Sequence, residues 1–367
     1  MTSIRIPLDA PNIGELEKQY VFRALESGYV SSVGPLVSEF EERFAAFVGV
    51  RYALATVNGT AAIHLALRLL GIGPGDEVIV PALTFIATAN PVVYAGATPV
   101  VVDVDPLTWN IDPDEVERAV TGRTRAVIPV HLYGNPADMS RLMDVARRHG
   151  LYVIEDAAEA LGAMYDGRHV GTFGDIGVFS FNGNKVITTG GGGMLVTNDP
   201  ELAARARLLI NQGRALGAME YEHLEIGYNF RLTNIQAALG LAQLERLSEF
   251  LSTKRRNAAL YRKLLQEKPG LTWQHELREA NSNWWLFSVL INAEIFGVDR
   301  YAVMERLIEA GVQTRPLFLP LTKQPAYKHY RLKKCKVAES LHENGLNLPS
   351  ATFLKDKDIY TVCQLLG

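Results

Sequence analysis

The sequence predicts an α/β protein with two parts: a large domain with a mainly parallel central sheet, and a smaller C-terminal α+β domain. Three observations carry this prediction. From about residue 50, short apolar runs alternate with amphipathic segments. The apolar runs are nearly unbroken, as in strands buried on both faces. After Thr233 the pattern gives way to a long stretch of helical periodicity.

Taken in order, Tyr52 to Val57 reads as a strand, and Thr60 to Leu70 as a helix capped near Asn58 and Thr60. The turn GIGPGDEV leads to a strand at Val78 to Pro81 and a helix from about Phe85 to Tyr94. Pro99 to Val104, Ala126 to Val130 and Leu151 to Glu155 are further strands, separated by periodic segments around Pro113 to Val120 and Asp138 to His149. Gly177 to Phe181 and Gly192 to Val196 add two strands on either side of a polar, glycine-rich loop. From Thr233 a long helix or a broken pair runs to Pro269 and Gly270. Trp284 to Ile291 and Val312 to Arg315 then read as strands around a helix at Asp299 to Ala310. The expected division is residues 1–250 and 251–367.

The chain has 367 residues, 48% of them hydrophobic, enough for a large core and a second smaller one. Its 40 acidic residues are interspersed with 37 Lys plus Arg for a formal charge of -3, which gives no nucleic-acid-binding surface. Cys335 and Cys363 have no metal-ligand spacing and read as thiols. The N-terminus has no signal-peptide pattern, and no run reaches the roughly 18 apolar residues that span a bilayer. A cytoplasmic protein is expected.

Three segments could carry chemistry. Asn58-Gly59-Thr60 joins a strand to a helix, where exposed N–H groups and the Thr60 hydroxyl can face an anion. A plain turn with an N-cap explains these residues equally well. Glu155 and Asp156 end an apolar strand, where a carboxylate can pair with a protonated ring nitrogen, and Glu159 follows three residues on. Helix capping and solvent exposure are the ordinary alternatives. The third segment runs from the strand ending near Ser180, through a loop presenting Lys185, to four glycines at 190–193. A lysine so placed can form a Schiff base with an aldehyde and act as acid and base. Most loop lysines are simply solvated. There is no GxGxxG or Walker A pattern, which removes the basis for a nicotinamide-dependent oxidoreductase. Trp284 and Trp285 read as core or interface.

The ordered motifs SSVG (31–34), NGTAAIHLAL (58–67), GPGDEVIVPALTFIATANP (73–91), HLYG (131–134), EDAAEALGA (155–163), FSFNGNK (179–185), GYNFRLTNIQAALGLAQLE (227–245) and LNLP (346–349) resemble those of a known family. It is the DegT/DnrJ/EryC1/StrS family of sugar aminotransferases, and the resemblance runs from about Pro7 to the C-terminus. It implies the fold-type-I aspartate aminotransferase architecture and pyridoxal 5'-phosphate (PLP) as cofactor. Lys185 would form the Schiff base, Asp156 would pair with the pyridine nitrogen, and Gly59, Thr60 and Ser180 would hold the phosphate. Phe85 would stack on the ring, and Glu159 would lie near its substituents. The resemblance also implies a homodimer with shared active sites, in which Asn229 reaches the phosphate across the interface and Arg231 lies nearby. Ser31, Ser32, His131, Arg315, His329 and Tyr330 are candidates for substrate contact.

The implied reaction moves an amino group from L-glutamate to C4 of a nucleotide-linked 4-keto-6-deoxyhexose. Asn184 and Gly191 stand where many relatives have His and Glu. With EIGYNFRLTN and TRPLFLPL, they look most like the branch acting on UDP-2-acetamido-2,6-dideoxy-4-ketohexose. The GDP-perosamine synthases, acting on GDP-4-keto-6-deoxymannose, are the close alternative. A non-catalytic regulatory relative would have less reason to keep Lys185, Asp156 and Ser180 together.

Overall fold

The computed structural model describes residues 4–215, 220–330 and 332–367. Its centre is a seven-stranded sheet built from β1 (Tyr52–Thr56), β2 (Glu77–Pro81), β3 (Thr98–Val102), β4 (Thr124–Val127), β5 (Tyr152–Asp156), β6 (Ile176–Ser180) and β7 (Gly193–Thr197). The strand order is β1-β7-β6-β5-β4-β2-β3. Neighbours from β6 to β3 are parallel, whereas β7 runs antiparallel to both β1 and β6. Every residue of β2 and of β7 is buried, as expected for strands covered on both faces.

The covering helices begin where polar side chains can take their free N–H groups. Asn58 accepts from Ala61 N at the start of Gly59–Leu69, Asp138 from Arg141 N at Met139–His149, and Asp199 from Glu201 N and Leu202 N at Pro200–Leu209. Two helices, Glu15–Glu26 and Pro35–Val48, precede the sheet and have no counterpart in the sequence-based reading. The first buries only Glu17 and Ala24, so it carries little apolar periodicity.

Several expected boundaries shift. The segment from Phe85 to Tyr94 is a 3-10 turn, Ile86–Thr88, followed by the short helix Asn90–Tyr94, because Pro91 can sit only in a helix's first turn. The long helical stretch breaks at Arg246 into Asn234–Glu245 and Leu247–Leu265. Trp284 has φ +52°, a left-handed conformation that ends strand geometry, so the strand there is Phe287–Ile291. The expected strand from Val312 reduces to Arg315–Pro316.

The C-terminal part is a four-stranded antiparallel sheet in the order Leu271–Trp273, Phe287–Ile291, Gly345–Leu348, Arg315–Pro316. Its own apolar cluster includes Tyr261, Phe287, Val289, Leu346, Ile359 and Leu366. The N-terminal segment bridges the two parts: Ile6 packs in this cluster and Leu8 in the larger one. Among the described residues, Cys335 and Cys363 are free and buried, and no helix is long and apolar enough to cross a membrane.

Candidate active site

A cavity of about 780 Å³ lies where the C-terminal ends of β5 and β6 face the smaller domain. The sheet side contributes Gly59, Thr60, Phe85, Thr88, Asp156, Glu159, Ser180 and Lys185, and the small domain contributes Trp285, Gln313 and Arg315. Seven of the eight residues expected at the cofactor from the sequence thus meet in one wall; Asn229 does not, and Thr88 joins them.

Strand alternation separates the two carboxylates at the end of β5. Glu155 accepts hydrogen bonds from Gly171 N (2.7 Å), Phe173 N (2.6 Å) and Gly174 N (2.7 Å), and is fully buried away from the cavity. Asp156 faces the cavity. Thr88 Oγ1 donates to its Oδ2 at 2.7 Å, and Ala158 N donates to its Oδ1 at 3.2 Å. Burial pushes the Asp156 carboxyl above its ordinary range, and the Thr88 and Ala158 hydrogen bonds, then Lys185 and His131, oppose that push. A cationic partner in the cavity would be strongly favoured beside such a carboxylate.

Lys185 sits in a turn closed by its own N–H to Asn182 O, 3.0 Å. Its Nζ is 3.5 Å from Glu159 Oε1 and 3.9 Å from the centre of the Trp285 ring. Glu159 also accepts from Tyr133 N at 2.8 Å. Burial raises the Glu159 carboxyl, against the pull of Lys185 and of the Tyr133 N–H.

The anion-binding corner depends on two glycines. With Asn58 taking the Ala61 N–H, the N–H groups of Gly59 and Thr60 remain at the helix start beside Ser180. A Cβ at Gly59 would lie 3.2 Å from Ser180 Cβ, and one at Gly193 would lie 2.5 Å from the Asn58 carbonyl carbon. The helix start and β7 therefore touch backbone to backbone. Phe85 is half exposed at the mouth, its ring 5.7 Å from that of Phe318. An anion-binding corner, a buried carboxylate that favours a cation, a lysine and an aromatic cover fit the phosphate, ring nitrogen, aldehyde and ring face of PLP.

Other expected residues are placed differently. His131 is a correction: it is fully buried, with Nε2 donating to Glu155 Oε2 (3.1 Å) and Nδ1 accepting from Ala137 N (3.1 Å). Both ring nitrogens are occupied, so it braces the strand end instead of meeting substrate. Arg315 lines the cavity and is exposed. Ser31, Ser32, Asn229, Arg231, His329 and Tyr330 are absent from the wall of this single chain. Ser31 O accepts from Asn234 N (2.6 Å), Asn229 is exposed, and Tyr330 packs on Tyr327. The buried Arg231 Nε has no hydrogen-bond partner among the described residues. Thr88 and Trp285 went unrecognised as site residues; Trp284 and Trp285 are buried in the apolar clusters, as expected, and Trp285 in addition meets Lys185.

Comparison with known proteins matches residues 11–367 to the DegT/DnrJ/EryC1/StrS aminotransferase family. The chain belongs to this family. The GDP-perosamine synthase of Caulobacter vibrioides is 47% identical over 99% of this chain and 97% of its own length. That of Escherichia coli O157:H7 is 43% identical over 99% and 98%. Among solved structures, a chain named as a sugar aminotransferase, Spr1654 of Streptococcus pneumoniae in its PLP form, superposes with a TM-score of 0.92. It is 29% identical, with 98% of this chain and 97% of that chain covered. As a member of the DegT/DnrJ/EryC1/StrS aminotransferases, the chain has the fold-type-I architecture and is a PLP-dependent enzyme.

Proposed function

We propose that this aminotransferase transfers the amino group of L-glutamate to C4 of GDP-4-keto-6-deoxymannose, and that it works as a homodimer. The identity to GDP-perosamine synthases along the whole chain carries the choice of nucleotide sugar. It displaces the UDP-2-acetamido-2,6-dideoxy-4-ketohexose that the loop motifs favoured.

When bound, PLP supplies the carbon that carries the amino group and a ring that takes up the electron pair released at the donor's α-carbon. The N–H groups of Gly59 and Thr60 and the Ser180 hydroxyl bind the phosphate. The Asp156 carboxylate holds a proton on the ring nitrogen, and the Thr88 hydroxyl keeps that carboxylate aimed into the cavity. Phe85 covers the ring and excludes water. In the first half-reaction Lys185 Nζ would take the proton from the donor's α-carbon and hand it to the carbon that receives the amino group; in the second it would take a proton back from that carbon and deliver one to C4 of the sugar. Arg315, a guanidinium in the cavity wall, can meet both the donor's carboxylate and the diphosphate of the nucleotide. Asn229 and Arg231 complete the partner's site in the dimer.

Purified protein with PLP and L-glutamate should turn over GDP-4-keto-6-deoxymannose and leave UDP-2-acetamido-2,6-dideoxy-4-ketohexose nearly untouched. Efficient turnover of the UDP sugar alone would overturn the assignment.

A further inference from the structure

The turn Ser282–Trp285 connects the two loops on which the chemistry depends. Asn283 Nδ2 donates to Glu159 O and Leu161 O, both at 2.9 Å, and its Oδ1 accepts from Trp285 N at 2.8 Å. Trp285 Nε1 then donates to Asn184 O, the carbonyl just before Lys185, at 2.6 Å. Its own carbonyl accepts from the buried Lys254 Nζ at 3.0 Å. The left-handed Trp284, with its N–H on Ser282 Oγ, aims the next residue inward. The indole is thus fixed at its amide N–H, its carbonyl and its ring N–H, and its face lies under the Lys185 amine.

We propose that Trp285 is a positioning residue which, together with Glu159, forms the seat of the Lys185 amine whenever that amine is free. This rests on the reading of Lys185 as the proton carrier, though not on the identity of the sugar. During transfer the C–H bond at the donor's α-carbon breaks, an N–H bond forms at Nζ, and the electron pair passes into the bound ring. The new ammonium needs a place that is anionic on one side and rich in π electrons on the other. Glu159 Oε1 at 3.5 Å and the indole face at 3.9 Å provide both. A seat of this kind keeps the amine within reach of the reacting carbon while it waits to return the proton.

The test uses the half-reaction with L-glutamate alone, followed by absorbance of the bound cofactor, so no nucleotide sugar enters. A wild-type protein that does not react with glutamate would refute the aminotransferase reading itself. Given reaction, Trp285→Leu should slow the step about three- to thirtyfold, the range spanned by a cation on a part-buried aromatic face. Saturation by glutamate should be unchanged, the isotope effect with α-deuterated glutamate should rise, and Trp285→Phe should recover part of the rate. An unchanged rate and isotope effect, or a loss confined to glutamate saturation, would overturn the proposal. A cofactor-free measurement decides the matter even if Trp285→Leu does not fold. Lys185→Met should alter tryptophan emission of the apoprotein but leave that of the Trp285→Phe apoprotein unchanged. The same change in both backgrounds would refute the seat.

Discussion

At the scale of single residues, the site places two buried carboxylates and one lysine where each is useful only with a cofactor present. Lys185→Ala should fold with wild-type circular dichroism, lose the near-visible absorbance of the bound cofactor and lose transamination by orders of magnitude. Asp156 makes a less obvious prediction. Burial raises its folded pKa above the ordinary 3.8, so the folded apoprotein binds more protons than the unfolded chain in the window above 3.8. Stability therefore falls as pH rises through that window, and at neutral pH the carboxylate is a burden on the apoprotein. Asp156→Asn should raise the apoprotein's melting temperature at pH 7 while weakening PLP binding about tenfold or more. A lower melting temperature would show that the Thr88 and Ala158 hydrogen bonds outweigh desolvation. Lys185 was legible in the sequence because its glycine-rich loop, spaced from Asp156 and Ser180, lies within the family's ordered motifs. Thr88 was not: its role depends on meeting Asp156, 68 residues away in the chain.

At the scale of elements, the contact between β7 and the Gly59–Leu69 helix sets the anion-binding corner. Gly193→Ala should force a shift of the Asn58–Gly59 backbone, costing about 1–3 kcal/mol in stability, and should weaken PLP binding more than glutamate saturation. Chemical denaturation and cofactor titration would check the two effects separately. The hairpin Met164–Tyr165 with Arg168–His169 carries a pH signature of its own. Burial lowers the His169 imidazole from 6.5 to about 4, against the opposing Val170 carbonyl and Glu155. Between those values the unfolded chain binds more protons, so stability falls as pH drops from 6.5 to 4, by about 3 kcal/mol in full. His169→Gln should flatten that limb in acid-denaturation curves. The main strands were legible from their apolar runs, whereas Glu15–Glu26 was not, since its ordering depends on packing against Asn234–Glu245 rather than on its own periodicity.

At the scale of the molecule, the single chain leaves Asn229 exposed and, among the described residues, Arg231 Nε without a partner, with neither in the cavity wall. If both belong to the partner's site, a mixture of Lys185→Ala chains and Asn229→Asp chains should regain activity that neither variant has alone. One intact site then forms in each mixed dimer, and assays of refolded mixtures would detect it. No recovery in proven mixed dimers would assign each site to one chain.

The sequence by itself determined that an alternating α/β pattern delivers a carboxylate, a lysine loop and a helix start to the ends of neighbouring strands, because strand periodicity and cap chemistry act over a few residues. Its ordered motifs also identified the family. Only the tertiary structure decided that Glu155 turns away from the cavity into a cradle of backbone N–H groups, that His131 braces the sheet, and that Trp285 lies under Lys185. Alternation says that neighbours point to opposite faces but not which face meets the cavity. That choice is made by the packing of layers whose contacting residues lie far apart in the chain.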